Sequence, residues 1–409
     1  MSDFRDYLYP EGHPRIAELR GLDAYSYAPV ARHNDFTGGL IDGWKRLYDD
    51  AFSGVTSDGE LIPDLFPLRR PDAADAADAA PVEAMVAAVE RLYAVLDERQ
   101  RERISYPVDS LEWRHWANPE FMQFDTGLRL EFQPQAVRDA FLALVEASLS
   151  PRGAHDVRTM MRINGFLGDV VGLPGIMNEF SYNASIFGEP SLDAPWGWQL
   201  FGHHCAVNCL VVDGQMVVSP VFLGAEPNEI DERPHAGISL GRRIMAELTE
   251  GQRAIAVTSA SLTEGLPDGR VHPGDERHLA GAFQDNRVIP CGGVRVAELS
   301  GRAQQLVWEL VADFVSILPD GPARLRMAEI RGQAPDTWFS WMGGTGPDDP
   351  SYCRVQNPVV IPIRNSNGFS RPASRHSKRS SSIRLCIAIA IRTHAIASSL
   401  TPFVSGSPK

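Results

Sequence analysis

The chain reads as an α+β protein, a central, largely antiparallel sheet with flanking amphipathic helices. Three observations predict this class. Apolar residues recur at helical spacing on both sides of the middle of the chain. The middle itself is built of short β-branched and aromatic runs bounded by Gly, Pro and Asp. No repeat of fixed period runs through the chain. Helical segments around a β-rich centre suit one layered core. The reading is a single α+β domain over residues 1–363, helix-rich in its N-terminal part, followed by an atypical basic tail at 364–409.

Taken in order, the first seventy residues carry turn signals at Thr37-Gly38-Gly39 and Ser57-Asp58-Gly59. Residues 71–81 are a low-complexity Asp/Ala bridge between two prolines, and Pro81 suits a first helical position. Over 82–103, Met85, Val86, Val89, Leu92, Tyr93 and Leu96 fall on one helical face. Residues 135–149 form a second stripe through Val137, Phe141, Leu144 and Val145. Residues 182–187 read as a short strand, and 196–212 as one long strand. Asp213-Gly214 is a two-residue hairpin signal, with 215–223 as the return strand. Helices follow at 239–248 and 302–318, the latter burying Leu306, Val307, Leu310, Val311 and Phe314, with polar loop between them. Residues 337–342 read as a strand, and 352–363 as one or two more.

Composition narrows the function classes. With 44% hydrophobic and 22% charged residues, the chain is that of a soluble globular protein. A net charge of −13 argues against nucleic acid, whose phosphates need a basic face. No apolar run reaches the roughly 18 residues of a membrane span. The polar, acidic start lacks the pattern of a signal peptide. Five cysteines in 409 residues make no disulfide framework, and Cys205 and Cys209 read as buried thiols on one strand face. A cytoplasmic location is expected.

The tail departs from this pattern. No Asp or Glu follows Asp349, and residues 364–409 contain eight Lys/Arg. The run Ile387-Ala388-Ile389-Ala390-Ile391 is suggestive. With codons ending in C, Ala-Ile-Ala-Ile read one base earlier alternates His and Arg. A frameshifted end is the favoured expectation, ahead of a basic interaction tail or an ordinary terminal strand. Reading the coding DNA through codon 363 in all three frames tests it.

The chemistry-bearing stretch is Trp196-Gly197-Trp198-Gln199-Leu200-Phe201-Gly202-His203-His204, followed by Asn208 and Glu226. Imidazole buried in an apolar strand needs a partner, either a metal ion or a hydrogen-bond network. On one continuous strand His203 and His204 point to opposite faces, unless Gly202 marks a bulge. His204 is then the better ligand, since it shares its face with Asn208. Glu226, returned by the hairpin to the level of the strand's start, can complete a divalent metal site of zinc or another ion, or act as general base. Asn208 would orient the site, and Trp196 and Trp198 would wall a pocket for a small-molecule substrate. Asn178-Glu179 and His115 are weaker candidates, and His272 and His278 read as solvated. The chain has no Gly-x-Ser-x-Gly, no phosphate-binding glycine loop and no His-Glu-x-x-His.

Several blocks resemble the domain-of-unknown-function family DUF3500 over residues of about 50–363. They are Gly54-Val55-Thr56-Ser57-Asp58-Gly59, Ser110 to Pro119, Gly127 to Glu131, Phe187 to Ser191, Pro195 to His204, Gly224-Ala225-Glu226-Pro227 and Phe339 to Gly344. The Trp-Gly-Trp-Gln…Gly-His-His block is the specific one. The chain also matches at Tyr352, Arg354, Val355 and Pro358-Val359-Val360, then departs at about Pro362, near where the acids stop. The resemblance implies a His-x-His motif beyond that point, which this chain lacks, and His394 does not replace it. It implies a common fold and no substrate. Three functions are expected to compete: a metal-dependent hydrolase acting on a small organic substrate, a non-catalytic binding protein with a structural His-His pair, and a metal-dependent oxidoreductase.

Overall fold

The computed structural model describes residues 12–62, 65, 78–226, 238–262, 281–346 and 349–366. The loop containing His272 and His278, most of the Asp/Ala bridge, and the tail from 367 onward lie outside the described residues.

The N-terminal part is helical: α1 (Pro14–Ala17), α2 (Ala24–His33) and α3 (Asp35–Tyr48). Asp23 caps α2 and Asn34 caps α3 through side-chain oxygens that accept backbone N–H groups. The stripe expected over 82–103 forms two helices, α4 (Val82–Val95) and α5 (Glu98–Ile104). The break has a local cause, since Asp97 and Gln100 make a reciprocal capping box that starts a new helix. Strands β1 (Ser105–Tyr106) and β2 (Leu128–Arg129) precede α6 (Gln135–Ser148) and the long α7 (Pro151–Val171). Then come β3 (Tyr182–Phe187), β4 (Trp196–Gly202), β5 (Cys205–Val212) and β6 (Gln215–Leu223). After α8 (Ile238–Glu247) and α9 (Glu250–Ala256) lie β7 (Val257–Ser259) and β8 (Val294–Arg295). The chain continues through α10 (Gly301–Val315), α11 (Asp320–Gly332), β9 (Trp338–Gly343), β10 (Ser351–Gln356) and β11 (Ile363–Ser366). Among the described residues no helix is long and apolar enough to cross a membrane.

The α+β class is as expected, but the single largely antiparallel sheet is replaced by two mixed sheets. The first runs β1-β3-β4-β5-β6, with β2 also on β3. Its β1–β3 pair is parallel. The second runs β11-β10-β9-β7, with β8 also on β9, and its β7–β9 pair is parallel. Each parallel pair is joined by a long connection that carries helices, α6 and α7 between β1 and β3 and α10 and α11 between β7 and β9, the crossover that parallel pairing needs.

One apolar core unites the two sheets. Trp198 and Val207 from the first pack in the same cluster as Trp341 and Val355 from the second, together with Met85, Phe141, Val157 and Leu310 from α4, α6, α7 and α10. A second cluster lies against the opposite faces: Phe201, Ala206 and Phe222, with Met342, Tyr352 and Ile363, under Tyr27, Ile41 and Trp44 of α2 and α3. Arg114 ties this layer together. Its guanidinium pairs with Asp285 at 2.7 and 3.1 Å and donates to the carbonyls of Leu47, Tyr48 and Asp50 at the end of α3. Buried between the two segments, it replaces the water both would otherwise need.

Candidate metal centre

The site begins with a turn. β4 ends at Gly202, β5 starts at Cys205, and these two residues pair across the ladder. His203 and His204 are therefore the two central residues of a tight hairpin, and the expected continuous strand 196–212 is corrected to two strands. His204 takes φ 57°, a left-handed conformation uncommon for a residue with a Cβ. Gly202 is needed because β4 ends pressed against β3. A Cβ there would lie 2.6 Å from the Ser181 carbonyl oxygen and 2.7 Å from the Tyr182 ring. Three bonds pin the tip: Tyr182 Oη donates to the His203 carbonyl at 2.9 Å, His204 N–H to the Asn118 carbonyl at 3.0 Å, and Gly224 N–H to the His204 carbonyl at 2.7 Å.

A reversal at 203–204 exchanges the strand faces downstream. Trp198 now opposes Cys209 and Leu200 opposes Val207, while Gln199 opposes Asn208. The two histidines no longer diverge as they would on a strand. Their ring centroids are 4.0 Å apart.

Glu226 completes the group. β6 returns antiparallel along β5, ending with Leu223 beside Cys205, so the next three residues reach the hairpin tip. Glu226 Oε2 lies 3.5 Å from His204 Nε2 and 4.0 Å from His203 Nε2. One ligand atom from each of the three lies within 4.8 Å of the others. Tetrahedral zinc with bonds of about 2.0–2.1 Å separates its ligand atoms by roughly 3.3–3.4 Å. The His204–Glu226 spacing is already close to that figure, and the His203–Glu226 spacing is wider. Both histidines are buried, whereas the Glu226 side chain is 25% exposed, so the cluster opens on the carboxylate side.

The proton on His203 is assigned by its neighbours. Asn164 of α7 donates its Nδ2 to the Asn178 carbonyl at 2.8 Å, which orients the amide. Its Oδ1 then faces His203 Nδ1 at 2.8 Å, and an amide oxygen only accepts. Neutral His203 must carry its proton on Nδ1, leaving the Nε2 lone pair toward Glu226. Metal-ligating histidines have this arrangement, with the distal N–H held by an acceptor. The network continues inward: the Asn178 side chain and Ser181 Oγ donate to Glu131, which forms a buried ion pair with Arg129 at 2.6 Å.

The other residues singled out from sequence fall elsewhere. Asn208 is four residues along β5 from His204, roughly 13 Å at strand rise. Its amide is used internally, accepting from Gln199 at 2.6 Å and donating to the Pro220 carbonyl at 2.8 Å, so it does not orient the histidines. Trp196 and Trp198 are not pocket walls but fully buried core. Their indole N–H groups donate to the Ser191 carbonyl and to Ser148 Oγ. Asn178 belongs to the network behind His203, and Glu179 pairs with Arg158 at 3.2 Å. His115 is a satisfied histidine, bonded to Thr126 and Tyr48 and stacked on Phe124, and burial pushes its pKa down to about 4. Cys205 and Cys209 are buried free thiols on one face, and desolvation raises Cys205 to about 12. Asn164, Asn118 and Tyr182 also hold the turn and its histidines. Only Asn118 carries a signal, its place in the Ser110–Pro119 block.

The family model described as "Protein of unknown function (DUF3500)" matches residues 78–377. The match begins after the Gly54–Gly59 block and continues beyond Pro362. No curated protein and no solved structure matches the chain. With well over half its length matched, the chain belongs to this family of unknown function.

Proposed function

We propose that this DUF3500 member is a metal-dependent hydrolase acting on a small organic substrate, with the divalent ion held by His203 Nε2, His204 Nε2 and Glu226. The observation that carries the reading is the convergence of these three ligand atoms within 4.8 Å. The orientation of His203 supports it, since Asn164 leaves its Nε2 unprotonated in the neutral ring. Two imidazoles and a carboxylate are a borderline-hard set suited to zinc and its neighbours.

Three protein ligands leave a position open, which is the pattern of catalytic rather than structural zinc sites. A metal bound there would supply Lewis acidity and an activated water at neutral pH. The protein's own part is positional. The pinned hairpin tip holds the backbone of both histidines and Asn164 holds the His203 ring, and the partly exposed Glu226 side gives substrate its approach.

Elemental analysis of the purified full chain tests the reading. About one metal per chain, lost in His203→Ala and His204→Ala, is the expected result. Glu226→Gln separates the two roles open to the carboxylate, since a ligand loses metal and a general base keeps metal but loses turnover. A metal-free chain that stays metal-free after incubation with zinc, manganese or iron would overturn the proposal and leave the histidine pair as a structural node.

A further inference from the structure

The second sheet carries a polar feature that the metal reading does not use. Tyr352, Arg354 and Gln356 alternate along one face of β10, while Cys353 and Val355 pack into the main core on the other. Arg354 opposes Ser340 on β9 and Ile363 on β11. Arg354 is 5% exposed, Ser340 1% and Gln356 2%.

Among the described residues Arg114, Arg129 and Arg354 are buried. Arg114 has the Asp285 carboxylate and three carbonyls. Arg129 has Glu131 and Asn183. Among the described residues Arg354 has one bond, from Nη2 to the Pro290 carbonyl at 3.2 Å, and no carboxylate within ion-pair distance. Its Nε makes no hydrogen bond, nor does Ser340 Oγ directly across the ladder, nor Gln356 Oε1 two residues along. A buried guanidinium without an anion is costly, and a native fold retains one where something else supplies the charge. Gly292 lies beside it, and a Cβ there would make ordinary contact with Nη2 at 3.7 Å.

We propose that Arg354 and Ser340 form a binding site for a small organic monocarboxylate. The carboxylate would take the Nε–H and adjacent Nη2–H of the guanidinium and the Ser340 hydroxyl, the fork geometry arginine favours. A single guanidinium among Met342, Tyr352 and Ile363 matches one negative charge and an apolar tail better than a dianion. The inference stands apart from the metal site, because no ligand atom of that cluster takes part.

The test is thermal denaturation of the full chain after chelator treatment, titrated with sodium butyrate against sodium acetate, phosphate and chloride at matched ionic strength. Butyrate should raise the melting temperature saturably and more than acetate. Ser340→Ala, a small change expected to fold, should weaken the midpoint by about tenfold, the worth of one hydrogen bond to a charged group. Arg354→Lys, which keeps the charge but loses the fork, should abolish the response. No response to butyrate, an equal response in wild type and both variants, or a response to phosphate alone would overturn the proposal. Should Arg354→Lys fail to fold, the Ser340→Ala midpoint decides. A butyrate response seen only before chelation would place the carboxylate on a metal and also overturn it.

Discussion

Asn164 and His203 share one hydrogen bond whose direction is set by a third group. The Asn178 carbonyl takes the Asn164 amide N–H, so only the amide oxygen meets His203 Nδ1, 2.8 Å away. Asn164→Leu would strip the acceptor and strand two buried polar atoms. The expected loss is about 1–3 kcal/mol of stability in urea denaturation. Metal affinity should fall by about 10- to 100-fold in a competition titration, as it does when the partner of a ligating histidine is removed.

His204 separates fold from ligation. Asn tolerates the left-handed conformation that His204 adopts at φ 57°, and a β-branched residue does not. His204→Asn should therefore keep the melting transition near wild type while metal content drops. His204→Val should cost about 1–3 kcal/mol besides losing the metal. Equal melting temperatures for the two variants would refute the assigned turn geometry.

His115 gives the molecule a pH signature. Burial holds its folded pKa down at about 4, below the unfolded value near 6.5. Between those values the unfolded chain binds the proton and the folded one does not. Stability contributed by neutral His115 is thus complete above about pH 6.5 and is lost as pH falls toward 4, by on the order of 3 kcal/mol at most. Urea midpoints at pH 7 and pH 5 should differ less in His115→Gln than in wild type.

Arg114 is the structural counterpart of Arg354. Arg114→Met leaves Asp285 without its partner and frees three carbonyls at the end of α3. A loss of about 3 kcal/mol is expected. Metal content of the folded fraction should be unchanged, since Arg114 touches none of the three ligands.

Much of this fold was legible because it is written in local chemistry. Asp213-Gly214 joins β5 to β6 with positive φ at both residues, as an Asp-Gly pair between apolar runs implies. Helices α6 and α10 follow their apolar stripes to within a few residues. Helix α7 is hard to see in the sequence, because its glycines lower helix propensity and serve close packing instead. A Cβ on Gly168 would fall 1.8 Å from the Met177 carbonyl oxygen. The site was half legible. The two histidines and Glu226 do come together, but through a turn that no sequence signal marks, since His-His is not turn chemistry. On one continuous strand 196–212 the faces beyond the turn are exchanged, which puts Asn208 and Trp198 on the face of His204, whereas the turn places Asn208 opposite Gln199. Asn164 was invisible because it lies about forty positions away on another element, and its role is set by a bond made only in three dimensions.

The meander has a kinetic consequence. The three proposed ligand residues all lie within residues 203–226, two at the tip of one tight hairpin and the third brought back to it by the next, with the strands paired in chain order. Assembling them requires closing short loops only, so little search entropy separates the coil from a formed ligand set. The second sheet contributes none of them. Amide exchange on the full chain should therefore show β4, β5 and β6 protected as one cooperative unit.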